Sequence, residues 1–467
     1  MIVKPWKHQK DGYVFSNDKK GVLYNWGMGS GKTIGTIYNA KKRNAKKILV
    51  IAPKSVLPVW ANEIKKFAPN EFTVKEFIKG TVKKKAEQIE YFLKTKTKEK
   101  KIVVINYEAC WREGLGELRK NRRIIAPGLL KSINWDMIVL DEAHKICRGQ
   151  SKVSKFCHRL RGSGKFLLAL TGTPLPNGCL SAFGLFRFLD PEIFGISEHR
   201  FKMKYAIFGG FENREVIQYQ NQEDFKEKFA SLTHQVRTED VVELPDFTHI
   251  NVPCRLSAKA QKVYDEFRDE CVFQFSNSEI SAENVLVKTL RLAQIASGSV
   301  TDDDGNEHLI DTNKIDAVAE TIENIDENEP VVVFTRFKSE AKMLSEKLNK
   351  LKMSYSMLVG GRNELKEWQD GKTRVLIMNI ASGSLGIDCT RARYNLYVST
   401  GYNYAQYDQS LARTRRPGAD VNQKVFYYHF NCVGTVDIAV ERAMRRKESV
   451  IDAILDDLDS FRTQKAA

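Results

Sequence analysis

The segment Gly27–Thr33, GMGSGKT, restricts what this chain can fold into more than any other stretch. It follows an apolar run, Gly21–Trp26, that reads as a buried strand, and it opens Ile34–Lys42, which reads as a helix. Strand, glycine-rich turn and helix form the setting of a phosphate-binding loop. Gly27, Gly29 and Gly31, with Ser30 between them, would let backbone N–H groups turn inward around phosphate oxygens. The helix start adds unpaired N–H groups and partial positive charge. Lys32 would then reach the β- and γ-phosphates of ATP, and the Thr33 hydroxyl would hold Mg²⁺. Trp26 stands where the strict motif has its first glycine. The plain alternative is a glycine turn that only links strand to helix.

Further apolar runs follow, and each ends in polar chemistry. Lys47–Pro53 delivers Lys54-Ser55 and a helical segment, Ala61–Phe67. Ile102–Asn106 delivers Tyr107-Glu108. Met137–Leu140 runs into Asp141-Glu142-Ala143-His144, and Phe166–Leu170 into Thr171-Gly172-Thr173-Pro174. Adjacent acids at a strand tip repel each other unless a cation offsets them. Asp141 is expected to hold Mg²⁺ and Glu142 to polarise the attacking water. Upstream, Trp6 and Gln9 offer a ring and an amide that could stack on and hydrogen-bond an adenine edge. Residues 75–101 hold ten Lys against four Glu and read as a solvated helix and loop rather than a nucleic-acid patch. Strands alternating with helices predict a mostly parallel sheet, with ligands beyond the carboxyl ends of its strands.

The second half repeats this pattern at Val331–Thr335, Val375–Asn379, Tyr394–Val398 and Val425–His429. Ser257–Phe275 reads as an amphipathic helix. Thr301–Glu307 lacks the spacing of a calcium loop and reads as an Asp-Gly hairpin turn. Gln409, Arg413 and Arg416 stand at i, i+4 and i+7, one face of a predicted helix that Pro417 and Gly418 would stop.

With these residues in view, the sequence resembles the superfamily 2 helicases, and among them the SWI/SNF-like DNA translocases. GMGSGKT, DEAH and TGTP are shared across that superfamily. IAPKSVLPVWANEIKKF, INYE and LALTGTPLPNGCLSAFGLFRFLDPEIFG carry the narrower likeness. The resemblance implies an α/β protein with two RecA-like lobes, each a parallel sheet flanked by helices. The lobes are expected at 1–245, with a helical insertion at about 180–240, and at 246–467. Ser382–Asp388 resembles the family's motif at the junction of DNA and ATP, with Ser384 for a Gly and Asp388 for the usual Asn. Gly386, Asp388 and Gln409 are its nucleotide-side candidates. Gln409–Gly418 resembles the last family motif, which makes Arg416, then Arg413, the arginine that reaches the γ-phosphate. Asn403-Tyr404 stands where the family has Asn-Pro. Candidates for DNA contact are Lys54, Ser55, Tyr107, Asn177, Arg336, Ser382 and Asn403. Gly434–Asp437 resembles the closing segment, and Ala439–Lys465 reads as a charged helix.

The net charge of +16 suits a polyanionic partner. Eight cysteines without a C-x-x-C pair argue against zinc and for a reducing, intracellular setting. The resemblance, with its short spacing between the second-half motifs, implies the cytoplasm of a bacterial or phage-infected cell. No apolar run approaches the roughly 18 residues of a membrane span, and MIVKPWKHQKDG has no signal-peptide core. About 47 residues separate Thr335 from Ser382, too few for a large insertion. The expectation is a monomeric ATP-dependent motor on duplex or branched DNA, acting on forks, junctions (branch migration) or protein–DNA complexes. An RNA helicase and an ATP-switched nucleic-acid clamp are the alternatives.

Overall fold

The computed structural model describes residues 4–95, 99–120, 123–176, 178–209, 215–277, 282–301, 306–385 and 387–446. Asn177, Gly386, the tip of the 301–307 turn and the tail beyond 446 lie outside them. The chain divides into two compact units, Met1–Val242 and Glu243–Ala467.

The first unit is built on a seven-stranded sheet. Its strands are β1 (Gly21–Trp26), β2 (Lys47–Ala52), β3 (Phe72–Glu76), β4 (Lys100–Asn106), β5 (Trp135–Asp141), β6 (Gly164–Thr171) and β7 (Thr233–Val236). They lie in the order β7-β1-β6-β5-β2-β4-β3, and every pairing is parallel. A parallel sheet must be covered on both faces, so its strands read as continuous apolar runs. Alternate residues feed opposite faces. Leu23, Leu49, Ile51, Ile138 and Leu140 join one core, while Val22, Tyr24, Ile48, Val50, Met137 and Val139 join the other. The second face is covered by α2 (Lys32–Lys42) and α3 (Leu57–Phe67), through Ile37, Ala40, Leu57, Trp60 and Ile64. The first is covered by α4 (Val82–Lys94) through Ile89 and Phe92, by the Lys152–Leu160 helix and by α5 (Ala182–Leu189).

The 180–240 stretch is not a purely helical insertion. Helices Glu198–Tyr205 and Gln222–Ser231 flank an antiparallel pair, Ala206–Gly209 with Glu215–Tyr219, and the chain then returns to the main sheet as β7 beside β1. The lysine-rich run also departs from expectation, because two of its lysines are buried. Lys101 donates to the carbonyls of Phe92 (2.8 Å), Leu93 (2.9 Å) and Thr95. It thereby satisfies the carbonyls left open at the α4 C-terminus. Lys85 donates to Asn106 Oδ1 at 3.4 Å.

The second unit carries a six-stranded parallel sheet: β8 (Phe247–Cys254), β9 (Val331–Thr335), β10 (Tyr355–Leu358), β11 (Val375–Asn379), β12 (Tyr394–Tyr397) and β13 (Val425–Cys432). Their order is β8-β13-β12-β9-β11-β10. All five residues of β9 are buried, as a central strand requires. Ser299–Thr301 and Glu307–Leu309 pair antiparallel, the hairpin expected of that stretch. Among the described residues no helix is long and apolar enough to cross a membrane.

Candidate active site

In the first unit the predicted motifs all lie at the carboxyl ends of strands. β1 feeds the glycine loop. Gly29 and Gly31 adopt φ values of +75° and +74°, the left-handed region that glycine enters freely. Gly27 is required for a different reason: a Cβ there would sit 2.9 Å from the Thr238 backbone nitrogen. Thr238, just past β7, donates its hydroxyl to the Met28 carbonyl at 2.7 Å. Ser30 Oγ donates to the Gly27 carbonyl at 2.7 Å. The Lys32 ammonium bridges the carbonyls of Trp26 (3.0 Å) and Gly27 (3.1 Å), across the base of the loop. Thr33 lies half-buried in the first turn of α2.

The departure at Trp26 is resolved by its side chain. The ring is fully buried, stacked on Tyr24 with centroids 4.2 Å apart, and its N–H donates to His234 Nδ1 at 2.9 Å. It points away from the loop, so only its main chain serves the phosphate cradle. Helix α1 (Lys7–Ser16) braces the same loop. His8 Nε2 lies 2.8 Å from the Ser30 carbonyl, and the Gln9 amide donates to the carbonyls of Ser30 (3.4 Å) and Gly31 (3.2 Å). Gln9 Oε1 accepts from Trp6 N at 2.9 Å. The buried amide is thus engaged with the loop from below.

β5 delivers Asp141, which is 7% exposed, and half-buried Glu142. Asp141 Oδ1 accepts the Glu142 N–H at 2.9 Å, and Oδ2 accepts the indole N–H of Trp60 at 2.7 Å. Burial, then the neighbouring Glu142, push the Asp141 carboxyl up to about 6. The Trp60 hydrogen bond and the nearby Lys32 ammonium pull the other way. Glu142 has φ +49°, a strained backbone for a residue with a side chain. Its Oε2 lies 3.3 Å from His144 Nδ1, which is 3.4 Å from Thr171 Oγ1 at the tip of β6. DEAH and TGTP are therefore joined by one imidazole.

Carboxylate, hydroxyl and phosphate oxygens are the hard donors Mg²⁺ prefers, and one protein carboxylate is enough when phosphates supply the rest. Among the described residues no cluster of three or more His, Cys, Asp or Glu could hold a metal alone. The loop glycines, Lys32, Thr33 and Asp141 fit a magnesium nucleotide.

Lys54 is exposed and Ser55 half-buried, both in the short turn that enters α3. Tyr107 requires a correction. Its side chain is 3% exposed and its hydroxyl donates to the Asp141 carbonyl at 2.8 Å, so it is not available to DNA. Sequence reasoning also gave no role to Trp60, His8 or Thr238. Trp60 could have been found, since it shares the buried helical face of Leu57, Ala61 and Ile64 and a buried indole N–H demands an acceptor.

In the second unit the helix expected through Gln409, Arg413 and Arg416 is shorter than that spacing implied. It spans Tyr404–Leu411 and holds only buried Gln409. The chain turns after Leu411; Pro417 has no N–H to offer the Arg413 carbonyl, which the Cys389 N–H takes instead at 3.0 Å. Pro417 also disfavours helical backbone at the residue before it. Both arginines still converge on the 387–389 segment. Arg416 Nη1 donates to the Ile387 carbonyl at 3.3 Å, and Arg413, Asp388 and Arg416 all act on the Cys389 thiol electrostatically. Asp388 Oδ1 accepts from Thr390 N (2.9 Å) and Thr390 Oγ1 (2.8 Å), fixing that turn. Asn403 caps the helix by accepting from Gln406 N at 3.3 Å. Tyr404 takes the first helical position, where Pro is favoured but not needed. The Arg336 guanidinium stacks 3.8 Å over the Tyr402 ring. Ser382 is half-buried in the turn after β11.

The model of the SNF2-related domain matches residues 13–299, more than half of the chain, and that of the helicase conserved C-terminal domain matches 313–418. An uncharacterised ATP-dependent helicase of Mycoplasma genitalium is 25% identical over 98% of this chain, which spans 43% of that protein. A putative protein of Acyrthosiphon pisum secondary endosymbiont phage 1 is 26% identical over 97% of this chain and 98% of its own length. A solved SWI2/SNF2 ATPase core of Sulfolobus solfataricus, in complex with dsDNA, aligns with 98% of this chain and 94% of that one at 24% identity. The TM-score of that alignment is 0.43. The chain belongs to the SNF2-related family of ATP-dependent, superfamily 2 helicases.

Proposed function

We propose that this ATP-hydrolysing enzyme is a translocase that moves along duplex or branched DNA. The observation that carries the chemistry is the grouping of Lys32, Asp141 and Glu142 at the carboxyl edge of one sheet, with Lys32 among the charges felt by Asp141. In this reading the glycine loop and Lys32 hold the phosphates. Bound Mg²⁺, held by Thr33 and Asp141, would neutralise charge on the phosphate oxygens. Glu142 orients a water toward the γ-phosphorus and accepts its proton as the bond to the bridging oxygen breaks. His144 keeps the Glu142 carboxylate in register with Thr171. Arg416, then Arg413, supplies a guanidinium to the equatorial oxygens. Gln9 is assigned to the adenine end of the site through its hold on the loop.

DNA as the track is supported by the net charge of +16 and by exposed Lys54 at a strand end. Contacts to phosphates carry no sequence information, which suits a motor that steps over any sequence. Forks, junctions and protein–DNA complexes are the proposed tasks. The test is ATP turnover with duplex DNA, single-stranded DNA, RNA and no polymer. Duplex DNA is expected to stimulate most, and stimulation by RNA alone would refute the reading. Glu142→Gln should abolish turnover while ATP still binds, and persistent turnover would remove Glu142 from the role of base.

A further inference from the structure

Two loops of the first unit, at the carboxyl ends of β2 and β4, end on the same residue. After β2 the Lys54–Val56 turn runs directly into α3, and Trp60 lies one turn inside that helix. Its indole is 1% exposed and has one donor, which is spent on Asp141 Oδ2 at 2.7 Å. After β4 the chain passes Asn106 into the Tyr107–Cys110 turn, and the buried Tyr107 hydroxyl donates to the main-chain carbonyl of Asp141 at 2.8 Å. One arm thus grips the carboxylate. The other grips the peptide that leads into Glu142, whose backbone is already in the left-handed region.

We propose that Trp60 and Tyr107 are positioning residues that relay contact of DNA at the outer ends of these two loops to Asp141 and Glu142. This rests on the DNA-motor reading above. The outer ends suit a polyanion. Exposed Lys54, buried Lys85 and Arg112 lie close enough for burial, then Lys54 and Arg112, to depress the Lys85 ammonium against the smaller opposing pull of Glu108. Lys85 is also bonded to Asn106, whose amide donates to Glu108 Oε2 at 2.6 Å. A phosphate arriving there relieves the repulsion among the cations and pulls on both loops. Rings packed this tightly cannot absorb the displacement by rotating, because the surrounding core is close-packed. The α3 arm swings the carboxylate of Asp141, and the Tyr107 arm tilts the Asp141–Glu142 peptide and re-aims Glu142. A strained residue between two well-held anchors is where a small shift switches geometry.

The test is thermodynamic coupling rather than activity alone. The dissociation constant of fluorescent ADP with Mg²⁺ is measured on the full chain with and without duplex DNA, for wild type, Tyr107→Phe and Trp60→Phe. Wild type is expected to show coupling within the roughly 5- to 150-fold range of allosteric pairs, and to lose it when EDTA replaces Mg²⁺. Both variants are expected to bring the factor below about twofold. A purely structural role would move the melting temperature and leave the factor alone. Tyr107→Phe removes one hydroxyl only, so it decides the matter even if Trp60→Phe folds poorly. Wild-type coupling in Tyr107→Phe, or coupling that survives EDTA, overturns the relay. If wild-type turnover responds to DNA while the variants respond equally, the relay fails alone. If wild-type turnover ignores every DNA, both readings fail.

Discussion

Gly35→Ala tests how Trp26 is accommodated where the strict loop motif has glycine. A Cβ at Gly35 would lie 2.7 Å from Trp26 Cη2, and nearer still to Cζ3. Carbon atoms prefer about 3.5–4.0 Å, so the ring would have to retreat by about 1 Å. It has nowhere to go. Tyr24 stacks on one face, His234 holds the indole N–H, and at Gly12 even a built Cβ would approach Cζ2 to 2.6 Å. Overpacking of this kind costs about 1–3 kcal/mol. Alanine in a helix interior returns about 1 kcal/mol relative to glycine, so the net loss is up to about 2 kcal/mol. In a Trp26→Ala background the clash is gone, and the same change should stabilise by about 1 kcal/mol. Trp26→Ala alone should cost about 3–5 kcal/mol. Urea unfolding of the full chain, followed by circular dichroism and fitted with separate transitions for the two units, measures all four corners of the cycle. The reasoning is refuted if Gly35→Ala is equally destabilising in both backgrounds, because the effect then owes nothing to the indole.

The raised Asp141 carboxyl gives a pH signature in the nucleotide-free protein. The folded state holds this proton more tightly than the unfolded chain, so stability falls as pH rises from about 4 to about 6 and is level above. The rise of this carboxyl to about 6 corresponds to roughly 3 kcal/mol at most. Asp141→Asn should lack that fall and be the more stable protein at neutral pH, and parallel stability–pH curves would contradict it. In the second unit, Lys314 and Asp437 form a 2.7 Å ion pair with side chains only 3% and 10% exposed. Burial alone would depress the Lys314 ammonium, but the Asp437 carboxylate, Cys432 and Glu340 together outweigh it and hold the ammonium above its usual range. Lys314→Met should cost about 3–5 kcal/mol, since it strands a buried carboxylate. Adding Asp437→Leu should restore most of this in denaturation measurements. A deficit of about 1 kcal/mol should remain, because Asp437 Oδ2 also accepts the Cys432 N–H.

The strands were legible because a doubly covered parallel strand writes itself as an uninterrupted apolar run. β9 and β11 coincide residue for residue with the runs Val331–Thr335 and Val375–Asn379. The phosphate loop and Asp141-Glu142 were legible because their chemistry is local: glycine conformations, and two acids at one strand tip. Partners distant in sequence were not legible. Arg413 looked helical, but it lies past the end of the helix at Leu411 and its carbonyl pairs with the distant Cys389 N–H; Tyr107 looked accessible until its hydroxyl met Asp141. Lys85 and Lys101 were lost in a run of solvated lysines, because only tertiary structure tells an ammonium that caps a helix from one in water. β7 was missed as a sheet strand because Thr233–Val236 is short and polar, and its fit depends on β1, more than two hundred residues earlier.

The pairing of β8 with β13 bears on synthesis. The first strand of the second unit has the last described strand as its sheet neighbour, joined over eight register pairs from Phe247–Val425 to Cys254–Cys432. During translation β8 emerges early and must wait for most of the unit to be made before its edge is covered. Closing so long a loop is slow, and an open edge is prone to wrong partners meanwhile. Truncations that remove β13 should therefore yield a sticky fragment rather than a smaller folded unit, and ribosome-bound chains stalled before Val425 should be the ones that chaperones hold longest.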